Sequence, residues 1–145
     1  MIDKSLLKII CITSLITGAV IGVIPLIPAF VWIAILLIMF FVAPFIIIYL
    51  KYLKLIDELT IEKGMLIGAI SGASSFIGLS ILYFPIAFIL YLIFKIQSFI
   101  WVKVLIINFG FLIPMIILIA LLCGLINAFS GFLTAYFCEY FVKKK

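Results

Sequence analysis

Apolar residues fill three long blocks of the chain, and charged residues interrupt them at only a few places. No charge occurs in the 42 residues between Lys8 and Lys51, the 31 between Lys63 and Lys95, or the 35 between Lys103 and Glu139. A helix needs about 20 mainly apolar residues to cross a bilayer, so every block is of membrane length. The two shorter blocks leave no room for two crossings and a turn, and each predicts one long helix, tilted or overhanging. The longest block holds two, divided at "GVIPLIPAF", where Pro25 and Pro28 each lack an N–H and clash with the preceding turn. The predicted spans are 7–25, 29–50, 65–94 and 106–138, with loops at 51–64 and 95–105. The fold class is therefore an all-α integral membrane protein: one domain, residues 1–145, with four transmembrane helices in two antiparallel hairpins. The Pro25–Pro28 turn is wholly apolar, so a re-entrant pair is the alternative to two full crossings.

Composition agrees with this pattern. The 145 residues are 70% hydrophobic and 10% charged, against about 25% charged in a typical soluble domain. The cations then orient the spans. All ten are lysine, and with four spans Lys4, Lys8, Lys51, Lys54, Lys63, Lys143, Lys144 and Lys145 fall on one side, leaving Lys95 and Lys103 on the other. Cytoplasmic flanks collect basic residues, so both termini are expected in the cytoplasm, at a prokaryotic cell membrane. The net charge of +5 reads as this orientation signal plus contact with anionic headgroups. No arginine-rich face for nucleic acid is present. The first 24 residues also resemble a signal peptide in layout, but the apolar stretch is longer than the usual 7–15 residues and runs straight into the second span. Retention as the first span is expected.

Within the polar connection "KYLKLIDELTIEK", Leu53, Ile56 and Leu59 have helical spacing. This predicts an amphipathic overhang of the second span, with Lys54 and Glu58 as an i,i+4 pair. Thr60 is placed to cap the third helix. Phe99 and Trp101 between Lys95 and Lys103, with Tyr49, Tyr52, Tyr136 and Tyr140 at the other side, have the make-up of interfacial anchors. Pro44, Pro85 and Pro114 lie inside spans and predict kinks.

Small residues form stripes. At about 100° per residue, Gly64, Gly68, Ser71, Gly72, Ser75 and Gly78 fall within one arc of about 120° on the third span. On the fourth, Ala120, Gly124, Asn127, Ala128, Gly131, Thr134, Ala135 and Cys138 do the same. Small residues let helix backbones approach in lipid, where apolar contact alone gives little. The two stripes are expected to meet, with Gly64 near Ala135, Ser71 near Gly131, Ser75 near Asn127 and Gly78 near Gly124. Asn127 must find partners in hydrocarbon, and Ser71 and Ser75 lie at the right depth to supply them. Ser14, Gly18 and Gly22 make a smaller stripe on the first span. The second span, bulky throughout, reads as mostly lipid-facing.

Chemistry is scarce. Histidine is absent, and Asp57, Glu58 and Glu62 lie in a loop, so the acid–base and nucleophilic sets of an enzyme are missing. Cys11, Cys123 and Cys138 have no C-x-x-C spacing, and without histidine no metal or cofactor is expected. In size and span number the chain resembles small multidrug exporters, which implies a glutamate in the first span. "LLKIICITSLITGAVIG" has none. The "GASSF" patch loosely resembles small fluoride channels, whose tendency to insert in both orientations disagrees with the lysine bias. The expected function is a non-catalytic accessory, assembly or oligomeric membrane component, with the lipid bilayer and either a membrane-protein partner or a second copy as its partners. A small channel or transporter lined by Ser71, Ser75, Asn127 and Thr134 is the alternative.

Overall fold

The computed structural model describes residues 3–56, 59–95 and 100–142. The described residues are 91% helical, with no strand among them. Helix α1 (Lys4–Ile21) is followed by two short 3₁₀ turns, Ile24–Leu26 and Pro28–Phe30. Next come α2 (Val31–Leu36), a π-helical turn (Leu37–Phe41) and α3 (Val42–Tyr52), then α4 (Ile61–Phe94), α5 (Ile100–Ile107) and α6 (Phe109–Val142). Among the described residues, four stretches are long and apolar enough to cross a membrane: Lys4–Leu26, Pro28–Tyr52, Ile61–Phe94 and Gly110–Tyr140. At 1.5 Å per residue the 34-residue α4 is about 51 Å long, well beyond a hydrocarbon core of about 30 Å.

Local chemistry sets the helix ends. Asp3 Oδ1 accepts the Lys4 N–H at 2.7 Å and caps α1. Thr60, in extended conformation, accepts the Lys63 N–H at 3.3 Å and caps α4, as its position predicts. The predicted overhang beyond the second span does not form. Lys54 takes a left-handed conformation (φ 53°), its N–H bonds Lys51 O, and the Leu55 N–H bonds Leu50 O, both at 3.0 Å. That is a Schellman closure, and it turns Ile56 back under the core, where it is buried. The 95–105 loop is also shorter than predicted, because α5 already begins at Ile100; Asn108 separates α5 from α6 and donates to Val104 O at 2.9 Å. Helices α4 and α6 run on through Pro85 and Pro114. The Lys54–Glu58 pair, Phe99 and lysines 143 to 145 lie outside the described residues, as does the side chain of Trp101.

Helix α4 is the centre of the packing, contacting α1, α3 and α6. The second span, outward-facing at most of its positions, also carries a buried face of Ile38, Val42, Ala43, Ile46, Ile47 and Leu50. They join Ile10, Ile67 and Cys123 in the main core. The branched side chains of this face pack against apolar residues of the neighbouring helices, while Phe40, Phe41, Phe45 and Ile48 point outward.

The small-residue stripe of α4 is shared between two partners. Gly64 lies against Ala135 and Gly131, Gly68 against the Asn127 backbone, and Gly72 against Cys123 O and the Asn127 side chain, all on α6. Gly124 approaches Ala69 O, so that a Cβ there would sit 3.0 Å from it. Further along, Gly78 lies against Leu15 O, Gly18 against Ser75 O and Gly22 against Leu79, all between α1 and α4. Gly78 therefore does not meet Gly124, Ser71 does not pair with Gly131, and Ser75 does not pair with Asn127. At Gly18, Gly68, Gly78 and Gly131 a carbonyl oxygen from the facing helix occupies the place of a Cβ. That repeated geometry directs a carbonyl at a glycine Cα–H, a contact of about 0.5–1 kcal/mol each.

Candidate functional site

The most chemically distinct place in the molecule is a break in the second span. Pro44 has no N–H, so in a regular helix the Phe40 carbonyl would lose its partner. The chain instead makes the π-turn Leu37–Phe41 and restarts as α3 with Pro44 in its first turn, where N–H groups have no intrahelical acceptor anyway. The polar groups around this restart are met from α6. Ser130 Oγ donates to Phe40 O at 2.8 Å. Asn127 Oδ1 accepts the Ala43 N–H at 3.1 Å, and Asn127 Nδ2 donates to Ile38 O at 2.8 Å and to Cys123 O at 2.9 Å.

Asn127 thus acts as an N-cap supplied by another helix. Its side chain is fully buried, and reversing the amide would set NH₂ against the Ala43 N–H and oxygen against two carbonyls. Only one orientation satisfies the site. The clamp lies near the middle of both Pro28–Tyr52 and Gly110–Tyr140, where water is not available as a substitute in a bilayer. Sequence reasoning assigns Ser71 and Ser75 as the partners of Asn127, and the structure corrects this. Both hydroxyls turn onto their own helix, Ser71 Oγ to Gly68 O at 3.1 Å and Ser75 Oγ to Gly72 O at 2.9 Å.

The remaining residues singled out from the sequence fall into two groups. Gly64, Gly68, Gly72, Gly124 and Gly131 lie on the α4–α6 seam, with Gly68 and Gly72 against Asn127. Gly18, Gly22, Gly78 and the Ser75 backbone form the α1–α4 seam. Ser14 is buried on α1, and its hydroxyl has no hydrogen-bond partner. Thr134 Oγ1 bonds Ser130 O at 2.8 Å. The hydroxyls of Ser71, Ser75 and Thr134 and the amide of Asn127 are each taken up in helix contacts. Sequence reasoning misses Ser130, Phe40, Ile38 and Ala43. The available signal is Pro44 in mid-span, together with Asn127 and Ser130 three apart on one face.

Beyond the clamp, toward Lys95, a crevice of about 290 Å³ opens between the second span, α4 and α6. Ile35, Phe76, Tyr83 and Ile119 are among its walls, and Ile38 and Cys123 close the end nearer Asn127. Its surface is almost wholly carbon, so a water molecule there would lack the two to four polar partners it needs. Such a space is suited to an apolar chain and not to a hydrated ion.

No protein-family model, curated protein or solved structure is significantly similar to this chain.

Proposed function

We propose that the chain is a multi-pass integral membrane protein, its four spans in two antiparallel hairpins with both termini cytoplasmic. It works as a non-catalytic accessory or assembly component of a prokaryotic cell membrane. The observation that carries this reading is the use of the mid-span polar groups. Asn127 and Ser130 close the break in the second span. Ser71, Ser75 and Thr134 bond to carbonyls of their own helices. The glycines bring backbones together. The falling succession of α6 partners along α4, from Ala135 at Gly64 to Cys123 at Gly72, supports the antiparallel pairing of those helices.

A channel or transporter is the second reading, favoured by one feature. Discontinuous helices at mid-membrane are a recurrent way to build solute sites, and π-turns often mark functional positions. Two measurements on the full chain separate these readings. Purification in mild detergent is expected to retain a membrane protein, or further copies of the chain, at a fixed ratio. Flux of small ions and neutral solutes from reconstituted vesicles is expected to match empty vesicles. Flux well above that background, removed by Asn127→Leu, overturns the accessory reading.

A further inference from the structure

We propose that the crevice beside the broken second span is a binding site for one acyl chain of an anionic phospholipid, drawn from the leaflet at the Lys95 end. The inference rests on reading the four helices as membrane spans, and three observations on this chain support it.

The first is the lining. The crevice walls are almost wholly carbon and belong to segments read as membrane spans, so hydrocarbon and not water is the material suited to fill it. The second is length. Lys103 Nζ sits over the Tyr91 ring, 5.5 Å from its centroid. Tyr91 is fifteen residues along α4 from Phe76, near the closed end, which is about 22 Å at 1.5 Å per residue. Half of a bilayer including its headgroups is about 20–22 Å. A lipid with its phosphate at Lys103 therefore has its terminal methyl at Ile38 and Cys123.

The third observation is charge. Lys95, exposed at the end of α4, and Lys103 are the cations of this end. The five acidic residues, Asp3, Asp57, Glu58, Glu62 and Glu139, all belong in sequence to the opposite ends of the spans. Two cations without a carboxylate suit a phosphate headgroup. Tyr83, the one hydroxyl-bearing residue on the walls, stands between headgroup level and the closed end.

The test uses the full chain reconstituted in vesicles of equimolar phosphatidylglycerol and phosphatidylcholine, extracted in mild detergent, with retained lipid identified by native mass spectrometry. One phosphatidylglycerol per chain is expected. Filling the crevice from either wall, by Ala34→Phe or Ile119→Phe, should abolish retention while helicity and elution volume stay unchanged. Lys95→Gln and Lys103→Gln, which leave the crevice intact, should each lower the preference for phosphatidylglycerol about fivefold. Full retention by both filled variants, or no preference between the two lipids, overturns the proposal. So does a dimer free of lipid that the filled variants dissociate, since the occupant is then a second copy. Resistance to alkaline extraction, measured on the same membranes, tests the membrane reading separately. A chain that stays membrane-bound but retains no lipid counts against the crevice alone.

Discussion

Replacing Asn127 by leucine tests the clamp directly, because the two side chains share a branched outline with equal numbers of heavy atoms and the change removes polar atoms without opening a cavity. Of the three hydrogen bonds made by the amide, the one to Cys123 O is dispensable, since that carbonyl also takes the helical N–H of residue 127. The other two are not. The Ala43 N–H and the Ile38 carbonyl, both at the break in the second span, would lose their side-chain partners. Each such group costs about 1–3 kcal/mol, so the loss should be about 2–6 kcal/mol, well above the roughly 0.6 kcal/mol of an average interhelical bond in a membrane. The mechanism also predicts a rescue. Pro44→Ala restores the missing N–H and lets the second span regularise, so that the helix supplies its own partners. Asn127→Leu should then cost at least about 1 kcal/mol less in the Pro44→Ala background, a coupling within the range of residues sharing one network. Unfolding of the four proteins in mixed micelles, titrated with a denaturing detergent and followed by circular dichroism, gives the complete cycle. Additivity within about 0.5 kcal/mol, or an Asn127→Leu protein as stable as the parent, would refute the reasoning.

Four further changes follow from the same contacts. Gly18→Ala places a methyl on the Ser75 carbonyl and should destabilise by about 1–3 kcal/mol through overpacking; Gly110→Ala, with nothing within 4 Å of its Cβ, is the control in the same unfolding assay and should cost nothing, gaining up to about 1 kcal/mol from helix propensity. Ser14→Ala removes a buried hydroxyl without a partner, and stability should rise by about 1 kcal/mol. Ser130→Ala leaves Phe40 O, already denied the N–H of Pro44, without its donor, and should cost about 1 kcal/mol, a loss that Pro44→Ala recovers. Lys54→Gly relieves a left-handed residue worth about 1–2 kcal/mol, less the added freedom of glycine in the unfolded chain, about 0.5–1 kcal/mol. A small net gain in midpoint is expected, and a loss would contradict the Schellman closure.

The four long apolar helices were legible because lysine interrupts otherwise continuous apolar blocks, and the length a bilayer asks of a helix then gives each block its helix count. Thr60 was legible for a similar reason: a hydroxyl at a polar-to-apolar boundary has few other uses. The partners of the α4 stripe were not legible as a single match. Its arc of about 120° is wider than one helix contact, with Gly68 and Gly72 leaning to one side and Gly78 to the other, and α6 and α1 take the two sides. The buried face of the second span was hidden because lipid-facing and core-facing residues are equally apolar there, so amphipathicity carries no signal. Lys54 gave no hint of a left-handed turn, which tertiary burial of Ile56 imposes on it.

The break and the crevice are physically linked. A regular helix through Pro44 would carry an unpaired carbonyl at Phe40, so the second span can cross at this depth only where a neighbour presents polar groups. Asn127 and Ser130 fix that neighbour as α6 and fix the depth as mid-span. Drawing the second span onto α6 here sets Ile38 and Cys123 together. Toward Lys95 no polar bond joins α2 to α6 among the described residues, and the apolar space between them begins where the clamp ends. The polar contact therefore sets register as well as stability: it decides where the helices close and, by the same geometry, where they stay apart. Weakening it should change the crevice as well as the fold. Pro44→Ala alone, by letting the second span straighten, should alter lipid retention even though residue 44 is not on the crevice wall; unchanged retention would separate the two features.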